Sequence, residues 1–402
     1  MKKEASGMKI AGIICECNPF HSGHKHLIAQ ARASGADVIV CVMSGYFTQR
    51  GEAALSDPYS RAETMIKGGA DLVLELPYPY SASSAEFFAD AGVDILSRLS
   101  VNELWFGSEC GDLDRLAKAT DAVMDEVFLK RYAEQSSKAS GTAQAYFEIL
   151  QSMCGAGEAF LSNDILGISY LCAIRKKESL MRPVTVRREG SAYLDEKLRE
   201  GEHPSATALR QMILSSGVES VMPYLLPETA EGLKDAEQQG LAPADLGLAE
   251  RAVLSYLRLC DVEELKNVAE LEGGLGNRLV DMAKQATTLD ELLSLASTKK
   301  YPNSRLRRGL LFAMTGVTKE DLKESPSYVR VLAANPTGCA VLASNRRDPA
   351  ITVVTRQAEL PSDGRAMRQE QLHAKAVSLY TLCLEKPVDA KPFLRRNPTI
   401  LK

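Results

Sequence analysis

The stretch IICECNPFHSGHKHL, residues 13–27, gathers His21, His24 and His26, three of only five histidines in the 402-residue chain. An apolar strand, a short turn and then H-x-G-H at a helix start would put imidazoles where the phosphates of a nucleotide lie. Helix N-terminal amides already favour an anion there. His21 and His24, three apart on the first turn, point to the same side. Gly23 carries no side chain, so adenine or ribose can approach the backbone closely. Pro19 stiffens the start of the turn. Imidazolium donors aimed at the α- and β-phosphates would stabilise charge developing as pyrophosphate leaves, with no covalent nucleophile. Surface or metal-binding histidines are the competing reading. For a metal the set lacks a third ligand other than Cys15 and Cys17, which are expected to face the strand. The nucleotide reading is preferred.

A second candidate is HPSATALR, residues 203–210. A Ser/Thr-rich helix start closed by an arginine suits a phosphate clamp built from the Ser205 and Thr207 hydroxyls, free amides and Arg210. Alone it would be a plain N-cap; with H-x-G-H upstream it gains weight. Gln49-Arg50-Gly51-Glu52 is a polar loop at the same sheet edge as the histidines that could meet a ligand's phosphates or only salt-bridge partners. Gly107 and Asn163 sit where a strand or loop opens toward a helix, places also filled by ordinary turn and cap residues. Arg305, Arg307 and Arg308 in SRLRRGLL suit phosphate contacts on a helix, or merely a solvated face. Trp105 continues an apolar strand and is read as core.

These groups need elements to hold them. MKIAGIICE (8–16), DVIVCVMSG (37–45), DLVLELP (71–77) and VNELWFGSE (101–109) are continuous apolar strands. Between them the pattern predicts helices: one opening at the histidine turn and running to about residue 34, one capped by Asp57-Pro58, and one over 83–99. Strands alternating with helices mean a parallel sheet covered on both faces, with ligands at the carboxyl ends of its strands. Beyond residue 112 the chain reads as mostly helical. The exceptions are a strand at 181–189 and strand character over 326–358, and a helix is expected near 365–383.

Composition excludes several classes. No apolar run is long enough to span a bilayer, and the N-terminal MKKEASGMKIAGIICE reads as a buried strand rather than a signal peptide. Nine scattered cysteines without CxxC spacing point to reduced thiols and a cytoplasmic setting. The net charge of −4 conceals an asymmetry. Residues 300–402 hold 18 Lys+Arg against 9 Asp+Glu, while residues 1–299 hold 30 against 43. An acidic front and a basic tail suit a catalytic domain with a nucleic-acid grip, or simply a solvated charged face.

In these motifs the chain resembles the HIGH-type nucleotidyltransferase superfamily, and within it the bacterial tRNA(Met) cytidine acetate ligase family. The likeness is carried by ECNPFHSGH, VMSGYFTQRGEAAL, DLVLELPYPYSASSAEFFA, FGSECGD, NDILGISYL, PSATALR and YPNSRLRRGLLFAMTG, in order from residue 8 to about 316. It implies a Rossmann-like parallel sheet of the HIGH nucleotidyltransferase type with a mostly helical C-terminal extension. Residues 1–218 would form the ATP-binding catalytic domain and 219–402 a helical, basic-ended tRNA-binding region. The implied reaction is ATP-dependent activation of acetate to acetyl-adenylate, then acetyl transfer to N4 of the wobble cytidine of elongator tRNA(Met). The implied ATP site comprises Ile14, Cys15, Glu16, Cys17, Asn18, Pro19, Phe20, His21, Ser22, Gly23, His24, Lys25, His26 and Leu27, with Gly107, Asn163 and Arg188. His21 and His24 would be catalytic. Cys17 stands where an aromatic such as tyrosine is expected, and Arg187 adjoins Arg188. Magnesium is expected with the ATP, held by phosphates rather than by a protein cage. The alternative is an adenylyl- or cytidylyltransferase for a small phosphorylated metabolite, which leaves the helical, basic-ended extension unexplained. A non-catalytic RNA-binding protein would not need the histidines.

Overall fold

A computed structural model describes residues 7–136, 142–155, 160–188, 206–346 and 349–402. The expected strands form as β1 (Ile10–Cys15), β2 (Val38–Ser44), β3 (Leu72–Leu76), β4 (Glu103–Ser108) and β5 (Arg182–Arg187). They lie side by side in the order β5-β4-β1-β2-β3, every pair parallel. Their continuous apolar character follows from burial on both faces. On one face Ile13, Cys41 and Met43 pack with Ile28 and Ala31 of α1 (Ser22–Ala33) and Met65 of α2 (Pro58–Lys67). On the other, Ile14, Val40 and Val42 pack with Leu96 of α3 (Ala85–Arg98). Helices α4 (Leu113–Met124), α5 (Glu126–Ser136), α6 (Thr142–Cys154) and α7 (Ser162–Lys176) follow, with Ile168 and Tyr170 of α7 in that second layer. Gly12 permits the close approach of α3, because a Cβ there would stand 2.7 Å from Leu96 Cδ1. From β1 the chain builds outward to β3, then crosses back to place β4 on β1's other side. The crevice outside the carboxyl ends of β1 and β4 is therefore the topological switch point.

Past β5 come α8 (Ala206–Ser216), α9 (Pro227–Gln238), α10 (Glu250–Leu259), α11 (Leu275–Ala283), α12 (Leu289–Ala296), α13 (Asn303–Thr315) and the short α14 (Lys319–Lys323). The strand character expected over 326–358 is realised, but within the first sheet. β6 (Tyr328–Ala334) pairs antiparallel with β3, and β7 (Thr352–Val354) and β8 (Thr399–Ile400) run parallel to β6. All seven residues of β6 are buried, as an interior strand requires, and α15 (Pro336–Asn345) follows it. The sheet thus crosses the division expected at residue 218. So does the core: Phe47 and Tyr78 pack with Leu310 and Phe312 of α13 and with Tyr380 of α16 (Gly364–Tyr380). The Tyr78 hydroxyl lies 2.7 Å from Thr315 Oγ1. Front and rear of the chain thus contribute to the same hydrophobic cluster. No helix among the described residues is long and apolar enough to cross a membrane.

Candidate active site

The histidine turn is built from β1 outward. Beyond Cys15 the Glu16 carboxylate accepts from Gln49 N at 2.9 Å. Burial raises the Glu16 carboxyl above its ordinary pKa, although the Gln49 amide and the charges of Arg50 and Arg210 oppose this. Cys17 adopts φ 47° and is fully buried. Asn18 Oδ1 accepts from Leu55 N at 2.8 Å, and the Phe20 carbonyl accepts from Thr229 Oγ1 at 2.9 Å. Arg61 of α2 is enclosed beneath the turn. Its guanidinium donates to the carbonyls of Glu16 at 2.7 Å, Ser56 at 3.0 Å and Ser44 at 2.9 Å, and also to that of Gly45. One buried cation thus ties together the carboxyl ends of β1 and β2 through carbonyls that would otherwise be orphaned.

His21 is the N-cap of α1. Its Nδ1 accepts from Gly23 N at 3.0 Å, and His24 Nδ1 accepts from His21 N at 3.3 Å. This is a capping box made of imidazoles. The ring centroids are 4.0 Å apart, and Phe20 stacks on His24 at 5.9 Å. With each Nδ1 engaged as an acceptor, the ring proton sits on Nε2, which is left as a donor. Burial, then the charge of Arg188, pushes the His21 pKa down to about 4. Burial, His21 and Arg188 hold His24 well below the ordinary value. The rings are therefore neutral near pH 7, which corrects the expectation of imidazolium donors. The helix amides are corrected too. Those of Gly23, His24 and Lys25 are bonded to His21, so the turn offers its two Nε2–H groups. Gly23 has a further reason to be glycine: a Cβ would sit 2.9 Å from His21 Cε1.

Across the switch point, Gly107 of β4 lies under the Arg188 stem, where a Cβ would stand 3.1 Å from Arg188 Cγ. Arg188 N bonds to Ser108 O at 2.9 Å, just past the end of β5. Arg187 turns the other way and packs against Gly111, so Arg188 is the arginine whose charge reaches both histidines. Asn163 sits in the first turn of α7, and its Nδ2 donates to Glu109 Oε1 at 2.6 Å. The Glu109 carboxylate also accepts from the Asn163 and Asp164 amides at 3.2 and 2.9 Å. Asn163 therefore fastens α7 to the end of β4.

The clamp region is only partly described: Ser205 lies outside the described residues. Thr207 and Arg210 are on α8, and an Arg210 Nη1–Glu52 Oε2 ion pair holds the guanidinium. Among the described residues Arg210 Nε is buried without a hydrogen-bond partner. The other Glu52 oxygen lies 3.5 Å from Arg307 Nη1. Arg308 Nε donates to Glu270 Oε1 at 2.8 Å and its Nη1 to the Gln49 carbonyl at 3.4 Å. Arg305 donates to the Glu270 carbonyl at 3.1 Å and to Glu272 at 3.3 Å. The arginine cluster is thus an internal network. The side chains of Arg305 and Arg308 are only 13% and 12% exposed. Gly51, at φ 72°, lies so close to α13 that a Cβ would be 2.6 Å from Arg308 N. The 47–53 loop rests on α13.

Of the residues implied for the ATP site, Ile14, Cys15, Cys17, Asn18, Pro19 and Phe20 are buried, and Leu27 is half-buried against the same core. Ser22 and His24 are half-buried, and His26 is exposed. Lys25 extends away to Glu228, 2.8 Å distant. His21, His24, Arg188 and Gly107 are brought together around the switch point. Arg210 lies on the Glu16 side of it. Arg61 and Glu109 were not singled out from the sequence. Glu109 had a signal in FGSECGD, an acid between a strand end and a helix start. Arg61 had none, because its partners are backbone carbonyls of three separate segments.

A family model described as HIGH Nucleotidyl Transferase matches residues 8–392. A tRNA(Met) cytidine acetate ligase of Clostridium perfringens is 34% identical, covering 93% of this chain and 95% of its own. One of Listeria monocytogenes is 32% identical with the same coverage. Among solved structures, Thermotoga maritima TmcAL bound with alpha-thio ATP superposes with a TM-score of 0.88 at 26% identity, covering 98% of this chain and 100% of that one. Its apo form gives a TM-score of 0.90 at 28% identity, with the same coverage.

Proposed function

Because the chain belongs to the HIGH nucleotidyltransferases, and within them to the tRNA(Met) cytidine acetate ligases, we propose that it activates acetate with ATP and transfers the acetyl group to N4 of the wobble cytidine of elongator tRNA(Met). The observation that carries the activation step is the pair of neutral imidazoles whose Nδ1 atoms are engaged by the backbone, leaving both Nε2–H groups to donate. An acetate oxygen attacks the α-phosphorus, the new P–O bond forms and pyrophosphate leaves. Charge grows on the bridging and β-phosphate oxygens. Donors fixed in place before the reaction stabilise that charge without reorganisation. Arg188 adds positive charge beside the rings, and Arg210, whose buried Nε has no partner among the described residues, would meet an anionic oxygen. These residues fit a triphosphate. Magnesium would arrive on the nucleotide and shield its phosphates.

The sheet and α8 would carry activation, and the helical region with its basic rear would meet the tRNA, in a cytoplasmic enzyme. The test is mass analysis of tRNA after incubation with ATP, magnesium and isotopically labelled acetate. Labelled N4-acetylcytidine at the wobble position of elongator tRNA(Met) is expected. Transfer of a nucleotidyl group to a phosphorylated metabolite, with the tRNA unmodified, would support the alternative.

A further inference from the structure

We infer that the cavity beside Arg210 receives the acceptor nucleobase and that Glu52 takes the hydrogen bond of its exocyclic amine; this rests on the acetyl-transfer reading above. The cavity measures about 500 Å³, and its wall includes Glu52, Thr207, Arg210, Leu246, Leu289 and Arg307. That volume falls in the range of small-molecule sites and accommodates a base with its ribose. One wall is α8, which carries Arg210; the opposite wall comes from α12 and α13 of the helical region. The space therefore lies where an activated acyl group and an RNA bound to the helical region would meet.

Glu52 has the right chemistry for that meeting. Arg210 and Arg307 hold it from two sides, which fixes its position. A carboxylate has about four acceptor sites, so two ion pairs leave capacity for an amine. A carboxylate recognises cytosine by accepting from N4, where uracil presents a carbonyl that it would repel. Leu246 and Leu289 supply an apolar wall for a base face. Arg210 Nε, buried and without a hydrogen-bond partner among the described residues, suits an anionic oxygen within one guanidinium of Glu52. The adenylate phosphate and the amine thereby become neighbours.

In the transfer, the N4 lone pair attacks the acetyl carbonyl carbon of acetyl-adenylate. The C–N bond forms and the C–O bond to the phosphate breaks. AMP leaves with that electron pair, and the N4 proton passes to Glu52 and then to water. The nitrogen becomes acidic only as the C–N bond forms, so a carboxylate held by two arginines is base enough.

The test bypasses activation. Acetyl-adenylate is supplied directly and single-turnover acetylation of tRNA(Met) is followed for the whole protein, for Glu52→Gln and for Leu214→Trp. Leu214 lines the cavity mouth and is 39% exposed, so the bulky residue need not disturb folding. Glu52→Gln should slow transfer about a hundredfold, the scale of a lost proton acceptor. Leu214→Trp should raise the tRNA concentration needed for half-maximal rate by about tenfold, on the scale of a blocked base contact. Transfer by Glu52→Gln at close to the wild-type rate would overturn the assignment of Glu52. An unchanged concentration dependence in Leu214→Trp would overturn the assignment of the cavity. If the underlying reading is at fault, the wild-type protein itself will move no acetyl group from supplied acetyl-adenylate.

Discussion

His21 Nδ1 holds the Gly23 amide, so protonating the ring would break the cap as well as bury a charge beside Arg188. Its pKa is about 4 folded and ordinarily about 6.5 unfolded. A depressed folded value gives stability that is present above pH 6.5 and lost as pH falls toward 4, because the unfolded chain then binds the proton first. His24 and His373 are shifted in the same direction by burial. We predict that wild-type stability, read from urea unfolding at pH 7.5 and 5, falls more steeply than that of His21→Gln. The excess should be up to about 2 kcal/mol, because pH 5 lies about 1.5 units below the unfolded value at about 1.4 kcal/mol per pKa unit. Equal slopes would mean that His21 is not held neutral by the fold. His21→Gln keeps an N–H near the Nε2 position, so it should lose less adenylate formation than His21→Ala, by about tenfold. Equal losses would show that the Nε2–H donor is not what matters.

At the scale of elements, α13 carries an arginine motif whose charge alone suggests an RNA grip. Those arginines face acids instead: Arg308 bonds Glu270 and the Gln49 carbonyl, and Arg307 pairs with Glu52. We predict that Arg308→Ala lowers stability by about 1–3 kcal/mol, since it leaves the half-buried Glu270 with Arg305 alone. Acetate-dependent pyrophosphate exchange should fall as well, because the 47–53 loop loses its seat. tRNA affinity should keep nearly the same salt dependence. A large fall in that salt slope at unchanged stability would restore the RNA-grip reading. Gly51→Ala should act in the same direction, because φ 72° and contact with the α13 backbone both resist a side chain. The five parallel strands and the Asp57-Pro58 helix start were legible because continuous apolar runs and N-caps are local signals. The partners of Arg305, Arg307 and Arg308 were not, because charge in sequence does not reveal which acids fold against it. The protonation state of the histidines was hidden for a similar reason: it depends on amides and an arginine that only the turn and β5 bring close.

At the scale of the molecule, the front and rear halves share a buried polar seam as well as a core. Glu75 of β3 is 2% exposed and lies 3.6 Å from His373 of α16, beneath β6 and its Arg330, which pairs with Glu370. Burial raises the Glu75 pKa to about 7, although the charges of Arg330 and Arg61 oppose the shift. A raised carboxyl pKa costs stability as pH climbs from about 4.5 to 7, because the unfolded chain releases its proton first. Glu75→Gln, neutral throughout, should gain on the wild type across that range by up to about 3 kcal/mol and hold the gain above it. A gain that does not vary with pH would contradict a protonated Glu75. The joining of β6 to β3 was not legible, because an apolar strand does not announce which sheet edge it will cover. The position of the histidine turn at the switch point was legible, because H-x-G-H after a strand is a local pattern. What matters most for the whole account is whether that site activates acetate through the two imidazole donors. ATP–pyrophosphate exchange measures this directly, with wild-type protein and His24→Ala, each with and without acetate. Exchange that requires acetate, proceeds without tRNA and falls about a hundredfold or more in His24→Ala is the expected result. Exchange indifferent to acetate, or undiminished in His24→Ala, would contradict it.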